Sequence, residues 1–328
     1  MVETLRGRPS LPDMMRLIGS AEVHAALDWT SLIEALRQML RSGCAVPPRH
    51  HHAIPAGGDR SDGTLLLMPA WQVGRRIGVK LATVFPSNGE RGLPAVMGTY
   101  LLLDGQTGAP LAMIDGQALT LRRTAAASAL AASYLARPDA ARLLVVGTGA
   151  LAPHLLEAHT AIRPIRTARI WGRDPAKATA LANRLDRPGL PVTAATDLAS
   201  AVRSADIVTC ATLARTPLIR GEWLSPGVHL DLVGGFTPDM READDECIAR
   251  ARVFVDTRAG ATIEAGDIVQ PLASGCLTAD EIAGDLFDLT RGTCAGRRDP
   301  DQITLFKSVG TALEDLAAAI LLFDRRGT

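Results

Sequence analysis

An apolar run, Arg142 to Val146, leads without interruption into Gly147-Thr148-Gly149-Ala150-Leu151-Ala152, and the chain then turns helical. A buried strand that feeds a Gly-x-Gly-x-x-Ala turn and opens a helix is the form of the first crossover in a dinucleotide-binding fold. Gly147 allows the tight turn, Gly149 lets the backbone approach a pyrophosphate, and Ala152 permits close packing of helix on strand. The phosphates then rest on the free N–H groups and positive end of the helix. Gly147, Gly149, Ala150, Leu151 and Ala152 are the expected cofactor-binding residues of this turn.

Strand and helix alternate onward from there. Ala168 to Trp171 reads as a strand, Asp174-Pro175 caps a helix to about Leu185, and Val192 to Ala194, Ile207 to Cys210, Val228 to Val233 and Val253 to Val255 read as further strands. This rhythm predicts a Rossmann-type, doubly wound parallel sheet. Before it, the pattern differs. Ser31-Leu32-Ile33-Glu34 has the form of a capping box opening a helix through Leu40. Thr64 to Met68, Arg76 to Phe85, Tyr100 to Asp104 and Leu111 to Asp115 read as strands, the last two joined by the turn Gly105-Gln106-Thr107-Gly108. Residues 1–122 therefore read as an α+β unit, and a long Ala-rich helix is expected from about 123 to Ala136. A final helix is expected over about Thr304 to Leu322, with an apolar stripe of Leu305, Val309, Leu313, Leu316 and Ile320 that packs back on the first unit. The expected class is α/β, with residues 1–122 plus 304–328 in one domain and 123–303 in the Rossmann domain.

Within Arg76 to Phe85, strand alternation puts Lys80 on one face with Gly78 and Ala82, small neighbours that leave room above it. The 35 basic and 35 acidic residues balance. That gives no electrostatic reason to expect nucleic acid as a partner. Five scattered cysteines with no Cys-x-x-Cys argue against a disulfide framework or zinc ribbon and fit a reducing, cytoplasmic setting. Met1 to Ser10 carries no apolar stretch of the kind a signal peptide needs, and Ala125 to Ala136 is too short to span a bilayer. His50, His51 and His52 are consecutive, but neighbours in an extended segment point alternately, so no metal site is expected. Asp104, Asp115, Asp231 and Asp267 are open as catalytic, turn or capping residues.

The strand Ala168 to Trp171 is followed by Gly172-Arg173-Asp174. NAD-selective sites usually end this strand with an acid on the ribose 2′-OH. Here Gly172 takes that place, and Arg173 can pair a 2′-phosphate through charge-assisted hydrogen bonds. The expected cofactor is NADP(H), with NAD(H) as the alternative, and Asp174 is best explained as a helix cap.

The chain resembles the ornithine cyclodeaminase/μ-crystallin family over nearly its whole length. The resemblance rests on Pro48-Arg49, Leu67-Met68-Pro69-Ala70, Gly78-Val79-Lys80, Leu121-Arg122-Arg123-Thr124-Ala125-Ala126 and the Gly147–Ala152 turn. It continues in Ile170-Trp171-Gly172-Arg173, Ala211-Thr212, Val233-Gly234-Gly235, Pro238-Asp239-Met240-Arg241-Glu242 and Phe306-Lys307-Ser308-Val309-Gly310. Leu151 stands where most members carry Gln. The resemblance implies a homodimer, a substrate and dimerisation domain rejoined by the C-terminal helix, and a substrate site containing Arg49, Lys80 and Arg123. Met68, Phe236 and Val309 join that site by the same alignment, and Ala211, Thr212, Val233 and Ser308 join the cofactor site beside Gly172, Arg173 and Asp174. Paired arginines suit a carboxylate, and Lys80 can bind it or hand a proton to a reacting nitrogen.

Cyclodeaminases of the family look to need a carboxylate after the fifth Rossmann strand, where this chain has Phe236. That, with Gly172-Arg173, favours the family's reductases of preformed cyclic imines, such as 1-pyrroline-2-carboxylate to L-proline. An ornithine cyclodeaminase, an alanine or N-alkyl amino acid dehydrogenase, and a μ-crystallin-like NADPH-dependent binding protein stay open as alternatives.

Overall fold

A computed structural model describes residues 15–55 and 63–325; the N-terminal segment read above for a signal peptide lies outside them. In chain order the elements are β1 (Arg16–Ile18), α1 (Ser20–Ala26), α2 (Trp29–Ser42), β2 (His50–Ile54), β3 (Gly63–Gln72), β4 (Arg76–Val84), β5 (Val96–Asp104), β6 (Pro110–Asp115), α3 (Gly116–Leu135), β7 (Arg142–Val146), α4 (Ala152–Ile162), β8 (Thr167–Trp171) and α5 (Pro175–Leu185). There follow β9 (Val192–Ala194), α6 (Leu198–Arg203), β10 (Ile207–Cys210), β11 (His229–Leu232), α7 (Asp245–Arg250), β12 (Arg252–Val255), α8 (Arg258–Glu264), α9 (Gly266–Ser274), β13 (Ile282–Asp285), α10 (Leu286–Arg291), β14 (Thr304–Lys307) and α11 (Ala312–Asp324). The chain divides into two compact units, residues 1–28, 42–123 and 312–328 in one and 29–41 and 124–311 in the other.

The first unit is built on a six-stranded sheet in the order β1-β6-β5-β4-β3-β2, antiparallel except for the β1–β6 pair. Register aligns Met68, Lys80, Tyr100 and Ile114 in one row across β3 to β6. All four are buried, and α11 packs on β3, β4 and β5. The opposite row, Pro69, Val79, Leu101, Met113 and Leu17, is also apolar, and Leu17 and Met113 are exposed.

The second unit holds an eight-stranded, wholly parallel sheet in the order β13-β12-β14-β11-β10-β7-β8-β9. From β7 the chain winds one way through β8 and β9, then returns to β10 on the other side of β7. That reversal is the topological switch point, where such sheets open a crevice at their carboxyl ends. Both faces are covered, as parallel sheets require: Leu144 and Val146 pack into one apolar cluster, Leu143 and Val145 into another.

Several elements differ from the sequence reading. The helix expected over Thr304–Leu322 is two elements. Thr304–Lys307 is a fully buried strand between β11 and β12, and the helix starts only at Ala312. The Leu305–Val309–Leu313 spacing imitated a helical stripe, but Gly310, at φ 80°, breaks it. The Ala-rich helix starts at Gly116, not 123, because the Asp115 carboxylate accepts the Ala118 N–H at 2.8 Å. Ser31 lies inside α2, not at its start, and Glu34 pairs with Arg37 at 3.0 Å instead of closing a capping box. No helix among the described residues is long and apolar enough to cross a membrane.

Candidate active site

In the second unit, a cleft of about 550 Å³ opens at the carboxyl ends of β7, β8 and β10. Gly147, Gly149, Gly172, Arg173, Asp174, Ala211 and Thr212 line it. Gly147 has φ 128°, and a Cβ there would meet the Ala211 carbonyl oxygen at 2.6 Å, so this turn needs glycine. A Cβ on Gly149 would meet nothing within 4 Å, so the backbone here faces open space. Helix α4 begins with no side chain capping its N-terminus; its Ala152 N–H donates to the Gly149 carbonyl at 3.2 Å and Pro153 has no N–H, so the positive end of the helix, rather than these two residues' amides, faces the turn. The turn therefore fits a dinucleotide pyrophosphate.

A Cβ on Gly172 would press on Thr148 Cγ2 at 2.6 Å, so the turn has little room for the side chain of an acid at this position. Arg173 is exposed at the cleft. The Asp174 carboxylate caps α5, accepting from the Ala176 and Lys177 amides at 3.0 and 3.2 Å, as a helix cap should. Two cations that the sequence reading missed, Lys177 and Arg215, also line the cleft. Arg215 pairs with Asp239 at 3.2 Å. Ala150, Leu151, Ala152, Val233 and Ser308 are not among the lining residues. Val233 and Ser308 are buried, their amides bonded to the carbonyls of Cys210 and Leu232 at 2.9 and 3.1 Å.

Beside the cleft lies a buried polar network. Glu242 Oε1 accepts from the amide and the hydroxyl of Thr212, both at 2.7 Å, and Oε2 accepts from the Gly234 amide at 2.8 Å. Burial pushes the Glu242 carboxyl up, while Lys307 opposes and Asp267 adds to the rise. Asp267 Oδ1 accepts from the Glu242 and Ala243 amides at 2.8 and 3.1 Å, and its other oxygen lies 3.2 Å from Lys307 Nζ. Asp256 accepts from the Val309 and Gly310 amides, both at 2.7 Å. Glu242 and Lys307 sat inside quoted family motifs, yet no pattern in the sequence marked them as buried. Phe236, 40% exposed, lies on the loop after β11, and Val309 follows β14; both belong to this unit, whereas the other expected substrate residues belong to the first.

In the first unit, β4 presents Lys80 from its buried face, and α3 presents Arg123. Helix α11 brings two acids to them. Asp315 Oδ2 lies 2.6 Å from Lys80 Nζ, Asp315 Oδ1 accepts from Arg123 Nε at 3.0 Å, and Glu314 Oε2 accepts from Arg123 Nη1 at 2.6 Å. Neither acid was identified from sequence, because both sit in a helix that reads as apolar. Burial lowers the Lys80 pKa to about 8; Asp315 opposes this, and Arg123 and half-buried Arg49 add to it. Burial is thus the main cause of the shift. For Asp315, burial pushes the carboxyl up, but Arg123 and Lys80 more than offset it and hold it below the usual range. Buried Met68 pairs with Lys80 in the sheet register. The room expected above Gly78 is taken: a Cβ there would fall 1.8 Å from the Tyr100 hydroxyl.

The aspartates left open by the sequence separate clearly. Asp104 closes a turn through the Gln106 and Thr107 amides, and Asp115 caps α3. Asp231 is buried among Ser128, His159 and Thr209, and Asp267 belongs to the network above. His50, His51 and His52 lie exposed on β2, and no cluster of metal-binding side chains occurs among the described residues.

A model of the ornithine cyclodeaminase/mu-crystallin family matches residues 13–327. The chain is 43% identical over 294 residues to a Delta(1)-pyrroline-2-carboxylate reductase of Paracoccus denitrificans, covering 89% of this chain and 91% of that one. The solved Delta(1)-pyrroline-2-carboxylate reductase of Thermococcus litoralis, in complex with NADH and L-proline, superposes with a TM-score of 0.88 at 31% identity, covering 95% of this chain and 97% of that one. An archaeal alanine dehydrogenase dimer with bound NAD superposes with a TM-score of 0.86 at 26% identity, covering 95% of this chain and 95% of that one.

Proposed function

The chain belongs to the ornithine cyclodeaminase/mu-crystallin family, and from that premise we propose that it is an NAD(P)H-dependent reductase of cyclic α-imino acids, of the 1-pyrroline-2-carboxylate to L-proline kind. The observation that carries this reading is Lys80: a buried lysine with its pKa lowered to about 8, among Arg49, Arg123 and Asp315. A lysine so placed can give up a proton near neutral pH, which reduction of a C=N bond requires.

The dinucleotide, when bound, supplies the hydride that becomes the new C–H bond of the ring carbon. Lys80 supplies the proton for the nitrogen, so that C=N becomes CH–NH. Arg49 and Arg123 hold the substrate carboxylate. Arg49 acts electrostatically on Lys80, while Glu314 and Asp315 pair with Lys80 and Arg123. Glu314 and Asp315 use two N–H groups of Arg123, fixing its plane while its remaining donors stay available for the carboxylate. Phe236 replaces the acid that cyclodeamination looks to need, and gives no group to assist loss of ammonia.

NADPH is the preferred cofactor in this proposal, on Gly172 and Arg173, with Lys177 and Arg215 adding positive charge to the same cleft. The chain works as a homodimer. The apolar outer row of the first unit's sheet, with Leu17 at 72% and Met113 at 40% exposure, supports burial of that face. We place the activity in the cytoplasm, on the scattered cysteines. The first unit serves substrate binding and dimerisation and the second the dinucleotide. The test is NADPH oxidation against a panel of cyclic imino acids and open-chain 2-oxo acids with ammonia. Turnover of the cyclic imines is expected; turnover of the open-chain pairs alone contradicts the proposal.

A further inference from the structure

Glu242 is fully buried, and among the described residues its carboxylate makes no ion pair within contact distance. All three of its described hydrogen bonds go to two chain segments, the one after β10 through Thr212 and the one after β11 through Gly234. The segments meet closely: a Cβ on Gly234 would lie 2.0 Å from the Thr212 carbonyl oxygen and 2.6 Å from Glu242 Oε1. Glu242 is itself fixed from behind, since its amide donates to Asp267, which lies 3.2 Å from buried Lys307. Thr212 lines the dinucleotide cleft. In a doubly wound sheet the strands before the switch point carry the adenosine half of a dinucleotide, and those beyond it carry the nicotinamide half. Segments β10 and β11 lie beyond it.

We propose that Glu242 is a positioning residue that clamps the loops after β10 and β11 into the shape that receives the nicotinamide ribose half of the cofactor. It touches no substrate atom; it acts through Thr212 and Gly234. A carboxylate suits this task because it accepts at both oxygens from three donors. Glutamine could satisfy only one side, since its NH₂ would face an N–H on the other. The inference rests on the reading of the second unit as the dinucleotide-binding one.

The test uses full-length protein free of cofactor, with NADPH and 2′,5′-ADP as probes. The second carries the adenosine half alone. For Glu242→Gln, the NADPH Kd is expected to rise about tenfold, the size of one lost charge-assisted hydrogen bond, while the 2′,5′-ADP Kd changes by less than about twofold. Amide exchange at Thr212 and Gly234 in the cofactor-free protein should speed up. Equal loss for both probes, or unchanged NADPH affinity, overturns the proposal. Should Glu242→Gln not fold, Thr212→Val deletes the hydroxyl bond while keeping the side chain's shape, and the same selective loss or equal loss decides. None of these readouts uses imine reduction. A chain that bound NADPH selectively through Glu242 but reduced no imine would sink the proposed function and leave the clamp standing.

Discussion

Asp315 lies between Lys80 and Arg123, its two oxygens 2.6 Å from Lys80 Nζ and 3.0 Å from Arg123 Nε, and all three side chains are buried. One carboxylate on α11 thereby holds together the cations delivered by β4 and α3. Charges taken out of water persist only when paired and hydrogen-bonded, so this acid is what allows two cations to be buried there.

Replacing Asp315 by Asn should cost about 3–5 kcal/mol of stability, because it leaves buried cations uncompensated. Thermal or urea unfolding measures this. Asp315 also raises the Lys80 pKa. Its loss should move the pH at which kcat/KM falls to a lower value. A profile that does not move shows that Lys80 is not the group titrating.

In the wild type Lys80 is the group that must carry the proton. Its proton is present below a pKa of about 8 and absent above it. Imine reduction should therefore be lost as pH rises through that value, since the proton donor disappears. Lys80→Ala should lower kcat by roughly 10²–10⁴-fold, the range for a general acid, while NADPH Kd stays within about twofold. Stopped-flow hydride transfer and fluorescence titration separate the two.

Arg173→Ala should raise the NADPH KM about tenfold and leave the NADH KM nearly unchanged, because only NADPH carries the 2′-phosphate it would pair. Equal effects on both cofactors remove the argument for NADPH. A smaller selective effect than this points to Lys177 and Arg215, which line the same cleft.

The parallel sheet was legible because its strands are apolar runs at regular spacing, and Gly147–Ala152 placed the crevice. Strand β14 was not, since its four residues continue the spacing of α11 and only Gly310 interrupts it. Lys80 and Arg123 could be named through family motifs. Asp315 and Glu314 could not: on α11 they sit within an otherwise apolar stretch, and an acid in the first turn of a helix is normally explained by the helix dipole. Glu242 shows the same limit. Its sequence neighbours say nothing of Thr212 and Gly234, which reach it only through the fold.

The proposed reaction is reduction of a preformed cyclic imine, not its formation by deamination. Purified wild-type protein given L-ornithine and NAD⁺ should release no ammonia, while the same preparation oxidises NADPH with 1-pyrroline-2-carboxylate and forms proline. Steady ammonia release with proline formation from ornithine would contradict the account, and would show that Phe236 does not mark the loss of cyclodeaminase chemistry.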